Sequence, residues 1–542
     1  MKKLIFSLLA GLGLVSCSDK ETVDSIVFNA NIYTVDADFG KAEAMAIQNG
    51  KILAIGKEDY ILANYQTDKQ YNLEGKTVVP GLIDAHAHFY RMGSMEQKAR
   101  FEGTKSYEEV LDRLVAFQEK NQLSFITGRG WDQNDWDLKE FPNKEKLDAL
   151  FPNTPVAITR VDGHALLVNQ AALDLAKLDN SSYFAGGEII KDANGNLTGV
   201  LIDAAMQPVY DAVPPPTKEE RESILKEAEK ICLSYGLTTV DDAGLPRLII
   251  EDIDRMQQNN QMRIRIYAMI SADDENLDYY LDKGTYKTDR LNVSSFKFYG
   301  DGALGSRGAT LRQPYSDRHA HYGALVNSVE RFNKTAERIA ASEFQMNTHA
   351  IGDSTNHLVL DTYKRVLNGD KNRRWRIEHA QIVSTEDFQY FDDIIPSIQP
   401  THATSDMYWA EDRIGPVRIQ NAYAFQRLLQ VNGRVALGTD FPVEYVNPFY
   451  TFYAAVARQD LEAYPEGGFQ IENALTREQA LKGMTIWAAY SNFEENEKGS
   501  LEFGKFADFT VLDRNIMEVP EKDLPTAQAL MTFISGELVY EK

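Results

Sequence analysis

The chain has 542 residues and nine histidines, and two of these, His86 and His88, stand one alanine apart in "VVPGLIDAHAHFY". On an extended strand, side chains two apart share a face, so Leu82, Asp84, His86 and His88 point the same way. Two imidazoles aimed at one spot are the beginning of a divalent metal site. Three more residues of metal-binding type end apolar runs: His349 in "QMNTHAIGD", His379 in "RWRIEHA" and Asp440 in "RVALGTD". Lys297 in "SSFKFYGDG" joins them. Phe296 and Phe298 take the opposite face, which leaves Lys297 pointing inward, and a buried bare ammonium needs a partner or a function. Nitrogen and carboxylate donors in this number suit Zn2+ or a similar divalent ion. A second "HAH", His319 to His321, follows the turn-rich "QPYSDR" with no apolar strand before it. It reads as a loop over the mouth of the site and not as a metal ligand.

These residues need elements that bring them together. "TKEERESILKEAEKICLSYGLTTVDDAG" shows the repeating unit. Thr217 and Glu220 form a capping box. Ile224, Leu225, Ala228, Ile231, Cys232 and Tyr235 fall on one helical face, Gly236 ends the helix, and "LTTV" opens a strand. Cys232 on that face is a buried core residue. The unit recurs before "QMNTHAIG", "WRIEHAQIV" and "RVALGTDFPV". Repeated helix-then-strand units imply a parallel sheet, and their number over this length predicts an α/β fold with a (β/α)8 barrel at residues 81–500. In such barrels the site lies at the C-terminal strand ends, where these residues fall. No glycine-rich phosphate fingerprint marks the first strand–helix turn, which argues against an open doubly wound sheet.

The two ends differ from the middle. Residues 24–80 and 501–542 carry β-type runs and hairpin signals such as Asn49–Gly50, and predict one β-sandwich assembled from both termini. A stretch at about 100–215 is too long for a normal connection and reads as an inserted subdomain. At the start, "MKK" precedes the apolar "LIFSLLAGLGLVS", too short to span a bilayer comfortably and typical of a signal peptide. The run ends in "LVSC", which resembles a bacterial lipobox, so residues 1–16 are expected as leader, Cys17 as the lipidated residue and 17–23 as tether. That expectation places the protein in the bacterial cell envelope, held to a membrane by its lipid anchor. The net charge of −23 argues against a nucleic-acid partner. The expected partner is a small-molecule substrate, and a second copy of the chain is a candidate.

The motif set as a whole resembles the amidohydrolase superfamily. "VVPGLIDAHAHF" is similar to that superfamily's opening strand, and "GRGWD", "RVDGHALLVN", "KFYGDGALGSR", "HAIGD", "RIEHAQ", "QPTHATSD", "GTDFPVE" and "KGSLEFGKFADFTVLD" follow in order. The likeness runs from about residue 24 to the end and points to the amidohydrolase-3, YtcJ-like branch, which includes N-substituted formamide deformylases. It implies a metal-dependent barrel with a urease-like β-sandwich. It implies that His86 and His88 bind a first metal with Asp440, that His349 and His379 bind a second, and that Lys297, once carboxylated, bridges both. One or two divalent ions, Zn2+ foremost, are the implied cofactor. Gly308, where relatives commonly carry a hydroxyl residue, and Asp203, where a Glu is common, depart from the pattern.

The expected chemistry is metal-assisted hydrolysis of a non-peptide C–N bond, with Asp440 as ligand and general base. Asp84 is either a support for a ligand or a structural carboxylate bonded to backbone. His164, His402, Asp301, Arg307 and Trp131 are the candidate substrate contacts, with Trp136 beside Trp131 at the entrance. Two other readings compete. One keeps the metal site and acts on cyclic amides, esters or amino-substituted rings; the other is an anchored binding protein without turnover.

Overall fold

The structure is a computed structural model that describes residues 20–542, so the leader and Cys17 lie outside the described residues. Eight parallel strands form the centre: β1 (Leu82–Ala87), β2 (Leu237–Leu245), β3 (Arg265–Ser271), β4 (Leu291–Tyr299), β5 (Gln345–Ala350), β6 (Arg376–His379), β7 (Ile395–Ile398) and β8 (Ala436–Leu437). They pair in chain order. The last strand returns to the first through two backbone bonds beyond the end of β8. Asp440 N–H donates to the His86 carbonyl (2.8 Å) and His88 N–H donates to the Phe441 carbonyl (2.8 Å). The barrel expectation is borne out.

The helix before β2, Lys218–Ser234, begins with the Thr217–Glu220 capping box. Its apolar face buries Ile224, Leu225, Ala228 and Cys232, which is the period the sequence carries. On β4 the alternation also holds. Phe298 packs outward on Phe332 of the helix Val329–Ala340, and Phe296 packs on Phe344, while Lys297 is buried on the inner face. The interior is unusually polar. Arg376 of β6 donates to Asp241 of β2 (2.9 Å) and to the Ser491 carbonyl (2.8 Å), and Asn492 donates to Asp241 (2.6 Å). Fully buried charges need pairing of this kind, and this knot forms the floor beneath the site.

Two sheets from the termini pack on one another. Residues 51–56, 44–48, 25–28 and 70–72 make one; residues 537–541, 529–534, 509–512, 77–80, 31–33 and 41–42 make the other. Val27, Ile32, Met45, Val78, Phe509 and Phe533 fill the space between them. A buried ion pair, Arg265 of β3 with Asp508 (2.6 Å), joins this unit to the barrel. The stretch between β1 and β2 folds as a separate six-stranded mixed sheet, from Ala99–Arg100 to Leu197–Asp203, with apolar cores of its own. Among the described residues, no helix is long and apolar enough to cross a membrane.

Candidate metal centre

His86 and His88 leave the end of β1 side by side, and each is oriented by its Nδ1. In His86, Nδ1 lies 2.5 Å from Glu378 Oε2, with both side chains fully buried. In His88, Nδ1 donates to the Ala243 carbonyl at 2.9 Å. A proton held on Nδ1 leaves Nε2 as the lone-pair donor. Both Nε2 atoms face Asp440 Oδ1, at 3.7 Å for His86 and 3.2 Å for His88. Lys297 Nζ is 3.1 Å from His86 Nε2.

Asp440 follows β8 with a left-handed backbone (φ 64°), a costly conformation for a non-glycine residue. The closure bond to the His86 carbonyl holds it there. Gly438 permits the approach, because a Cβ at that position would lie 2.5 Å from the His86 nitrogen. Asp84 is the seam between the same strands. Its carboxylate accepts from Thr439 N–H (3.0 Å), Thr439 Oγ1 (2.7 Å) and His86 N–H (3.3 Å), so its role is structural.

β6 supplies two adjacent inward groups, which strict alternation forbids. Left-handed φ at His379 (76°) and Ala380 (43°) bends the chain at the strand end. Glu378 thereby backs His86, while the His379 ring approaches those of His86 (centroids 4.9 Å apart) and His349 (4.5 Å). His402 reaches the same place from the helix Pro400–Asp406, its Nε2 3.1 Å from Asp440 Oδ2.

Two groups of three donors have their ligand atoms within 4.8 Å of one another: His86, His88 and Asp440, and His379, His402 and Asp440. The second group differs from the set the resemblance implies. His402, expected as a substrate contact, occupies it; His349 lines the same cavity but turns Nε2 toward Asp301 at 3.5 Å. His349 Nε2, His379 Nδ1 and Asp440 Oδ1 are all buried without a hydrogen-bond partner. Buried polar atoms left unpaired beside these two donor groups are costly unless something binds there. Neutral imidazole nitrogens and a carboxylate are the donor set a divalent ion takes, so the residues fit one.

The electrostatics agree. Burial, reinforced by the Lys297 charge, pushes His349 down to about 3. Burial and the neighbouring imidazoles push His379 well below its usual value. Both rings are therefore held neutral, as ligands must be. Burial raises the Asp440 carboxyl, but the surrounding imidazoles, His402 and His88 foremost, outweigh it and hold the group well below the carboxylate range. Burial lowers His402, yet its bonds to Asp440 and Glu444 carry it up to about 10. Lys297 is pushed down to about 8 by burial, against the pull of Glu378 and Asp440.

Above the cluster is a cavity of about 310 Å³, walled by Tyr299, Leu304, Ile351, Trp409 and Val443 together with Gln381 and Asp406. Four of the expected substrate contacts lie elsewhere. Trp131 is fully buried in the core of the inserted sheet, where its Nε1 donates to the Ile158 carbonyl (2.8 Å), and Trp136 packs beside it. An aromatic residue in a strand run filled a core instead of an entrance. His164 is exposed on the inserted sheet and paired with Asp203 at 2.7 Å. Arg307 clasps Asp317 at 2.7 and 3.0 Å and braces a loop. Asp301 accepts from the Thr310, Ile351 and Gly352 N–H groups (2.8, 3.1 and 2.9 Å) and anchors the turn after β5. His321 of the second "HAH" bonds the Arg307 carbonyl at 2.8 Å, away from the cluster. The sequence reading missed Glu378, Gln381, Asp406 and Trp409. For Glu378 a signal existed: Arg376 and Glu378 place two charges on one face of a strand whose ends must be buried.

Against known proteins, the profile described as "Amidohydrolase family" matches residues 69–540. The chain is 34% identical to Protein LONG AFTER FAR-RED 3 of Arabidopsis thaliana, over 95% of this chain and 91% of that protein. It is 28% identical to the putative amidohydrolase YtcJ of Bacillus subtilis (94% and 98%) and 26% identical to the N-substituted formamide deformylase of Arthrobacter pascens (96% and 98%). An uncharacterized metal-dependent hydrolase from Pyrococcus furiosus superimposes with a TM-score of 0.76 at 26% identity, covering 91% of this chain and all of that one.

Proposed function

The chain belongs to the amidohydrolase family, and we propose that within it this metal-dependent hydrolase cleaves a non-peptide C–N bond, with N-substituted amides as the substrate class. The observation that carries the reading is the set of buried, unpartnered donor atoms on residues that line a small, largely apolar cavity. The similarity to an N-substituted formamide deformylase supports the bond type.

His86, His88, His379 and Asp440 would hold the metal, with His349, His402 and Lys297 beside them. A divalent ion in that place, Zn2+ being our choice, would polarise a substrate carbonyl and lower the pKa of water toward neutrality. Asp440 takes the proton of the attacking water and returns it to the leaving amine. Its carboxylate is ionised and already faces the imidazoles, so it is ready to accept. His402, held between Asp440 and Glu444, steadies that carboxylate through the proton transfer. Glu378 keeps the His86 proton on Nδ1. Lys297 lies at hydrogen-bond distance from His86 with no carboxylate bonded to it. Loss of a proton from its ammonium, then addition of the free amine to CO2 with release of a second proton to solvent, would turn a buried cation into an anionic ligand, and we include that carboxylation in the proposal. Anchoring through Cys17 at a bacterial membrane is the proposed location.

The test pairs metal analysis with a substrate panel. Purified full-length protein should contain divalent metal and hydrolyse N-formyl or N-acyl amines in preference to lactams, esters and aminopurines. Asp440→Asn should lower kcat by about 10²–10⁴. Metal-free protein as purified, together with undiminished activity in Asp440→Asn, would defeat the reading.

A further inference from the structure

The wall of the cavity carries a carboxylate that the chemistry above does not use. Asp406 is four residues after His402 on the helix Pro400–Asp406, so the two side chains share a helical face one turn apart. Both line the cavity. The rise over four residues separates the two positions by about 6 Å along the helix axis.

Its orientation is fixed from behind. Tyr423 Oη donates to Asp406 Oδ2 at 2.7 Å, and Gln381 Nε2 donates to the same oxygen at 3.1 Å. Gln381 also donates to Tyr423 Oη at 2.7 Å, which closes a triangle. Tyr423 is buried and Gln381 nearly so, so the triangle is rigid. Both hydrogen bonds fall on Oδ2, and among the described residues no donor reaches Oδ1. Oδ1 is nonetheless absent from the buried unpaired oxygens, so it is open to the cavity.

The rest of the wall has matching character. The Trp409 ring lines the cavity and lies over Gly305, where a Cβ would meet the ring at 3.2 Å. No arginine lines the cavity among the described residues, and its one lysine, Lys297, is on the floor. Glu444 adds a second negative charge near Asp406. The one imidazolium nearby, His402, is already shared between Asp440 and Glu444. An aromatic face beside an oriented carboxylate is a setting for a cation or a strong N–H donor, while a substrate carboxylate would meet repulsion and no partner.

Resting on the hydrolase reading above, we propose that Asp406 is the specificity-determining residue of this site, selecting amides with a cationic amine about 6 Å from the scissile carbonyl. Burial raises the Asp406 carboxyl, and the charges around it include His402, which opposes that rise, and Glu444, which adds to it. A seated cation removes the penalty.

Three matched probes test this on the metal-loaded full-length protein: mono-N-formyl-1,3-diaminopropane, its neutral isostere N-formylbutylamine, and the anionic N-formyl-4-aminobutanoate. In the wild type, kcat/KM should favour the cationic probe over the neutral one by about 10- to 100-fold, the range of a charge-assisted hydrogen bond, and the anionic probe should rank last. In Asp406→Asn, checked for folding by thermal melting, the cationic-to-neutral ratio should fall to about 1. A wild-type ratio of 1 or below, or a preference that survives in folded Asp406→Asn, overturns the inference and leaves amide hydrolysis standing. If the variant does not fold, the wild-type series decides. If no probe is turned over, the three compounds are titrated calorimetrically into the wild type. Tighter binding of the cationic probe then keeps the inference and counts against amide hydrolysis; equal or absent binding overturns the inference.

Discussion

Glu378 touches no substrate, yet its substitution should be felt at the metal. Its Oε2 lies 2.5 Å from His86 Nδ1, and neither side chain is exposed. The bond does two things: it fixes which nitrogen of His86 carries the proton, and it lends that ring negative charge. In Glu378→Gln the size and the acceptor oxygen remain and only the charge is lost. A hydrogen bond to a charged group contributes about 1.5–3 kcal/mol and a neutral one about 1 kcal/mol. The difference of about 0.5–2 kcal/mol corresponds to about a 2- to 30-fold change in an equilibrium constant. It should appear first in metal affinity, because His86 Nε2 would be the weaker donor. Glu378→Ala should cost more, since it strands a buried Nδ1 proton with no acceptor. The assay is metal affinity by chelator competition, with kcat/KM at saturating metal and the thermal midpoint measured alongside. A Glu378→Gln protein that keeps its thermal midpoint, its metal affinity within twofold and its kcat/KM would refute the idea that this carboxylate tunes the centre.

Gly438→Ala should place a methyl within 2.5 Å of the His86 nitrogen, opening the seam between β8 and β1. Overpacking of this kind costs about 1–3 kcal/mol, and metal content should fall with the thermal midpoint; unchanged metal content would show the seam to be more tolerant than drawn. Trp131→Ala should destabilise by about 3–5 kcal/mol without altering KM in the protein that remains folded, and a raised KM would return Trp131 to the entrance. Chelation should lower the thermal midpoint, because a ligand held by the native state stabilises it by about 2.7 kcal/mol at a hundredfold excess over Kd, and readdition of metal should restore it; an unmoved midpoint would mean that the centre is not loaded.

Much of the site was legible in the sequence because its residues are rare types at strand ends. His86, His88, His349, His379 and Asp440 each close an apolar run, and Lys297 alternates with two phenylalanines; period two was enough to aim His86, His88 and Lys297 at one place. The unit at Thr217–Gly236 likewise carried its cap, its apolar face and its stop within local sequence. Trp131, Arg307 and His164 show where that logic ends. Their types are compatible with a pocket, but a strand-borne tryptophan fills a core equally well, and a loop arginine serves Asp317 as readily as a substrate.

The chain alone therefore determined the repeating α-then-β order, the parallel barrel it implies and the donor types at its rim, since these depend on periodicity and on residue chemistry a few positions apart. Only the tertiary structure decided that Glu378 backs His86, that His402 and not His349 joins His379 and Asp440, and that Asp406 faces the cavity with one oxygen free. Each of those depends on groups far apart in sequence brought within about 3 Å, or on a left-handed turn at His379 that breaks the alternation on which the sequence reading relied.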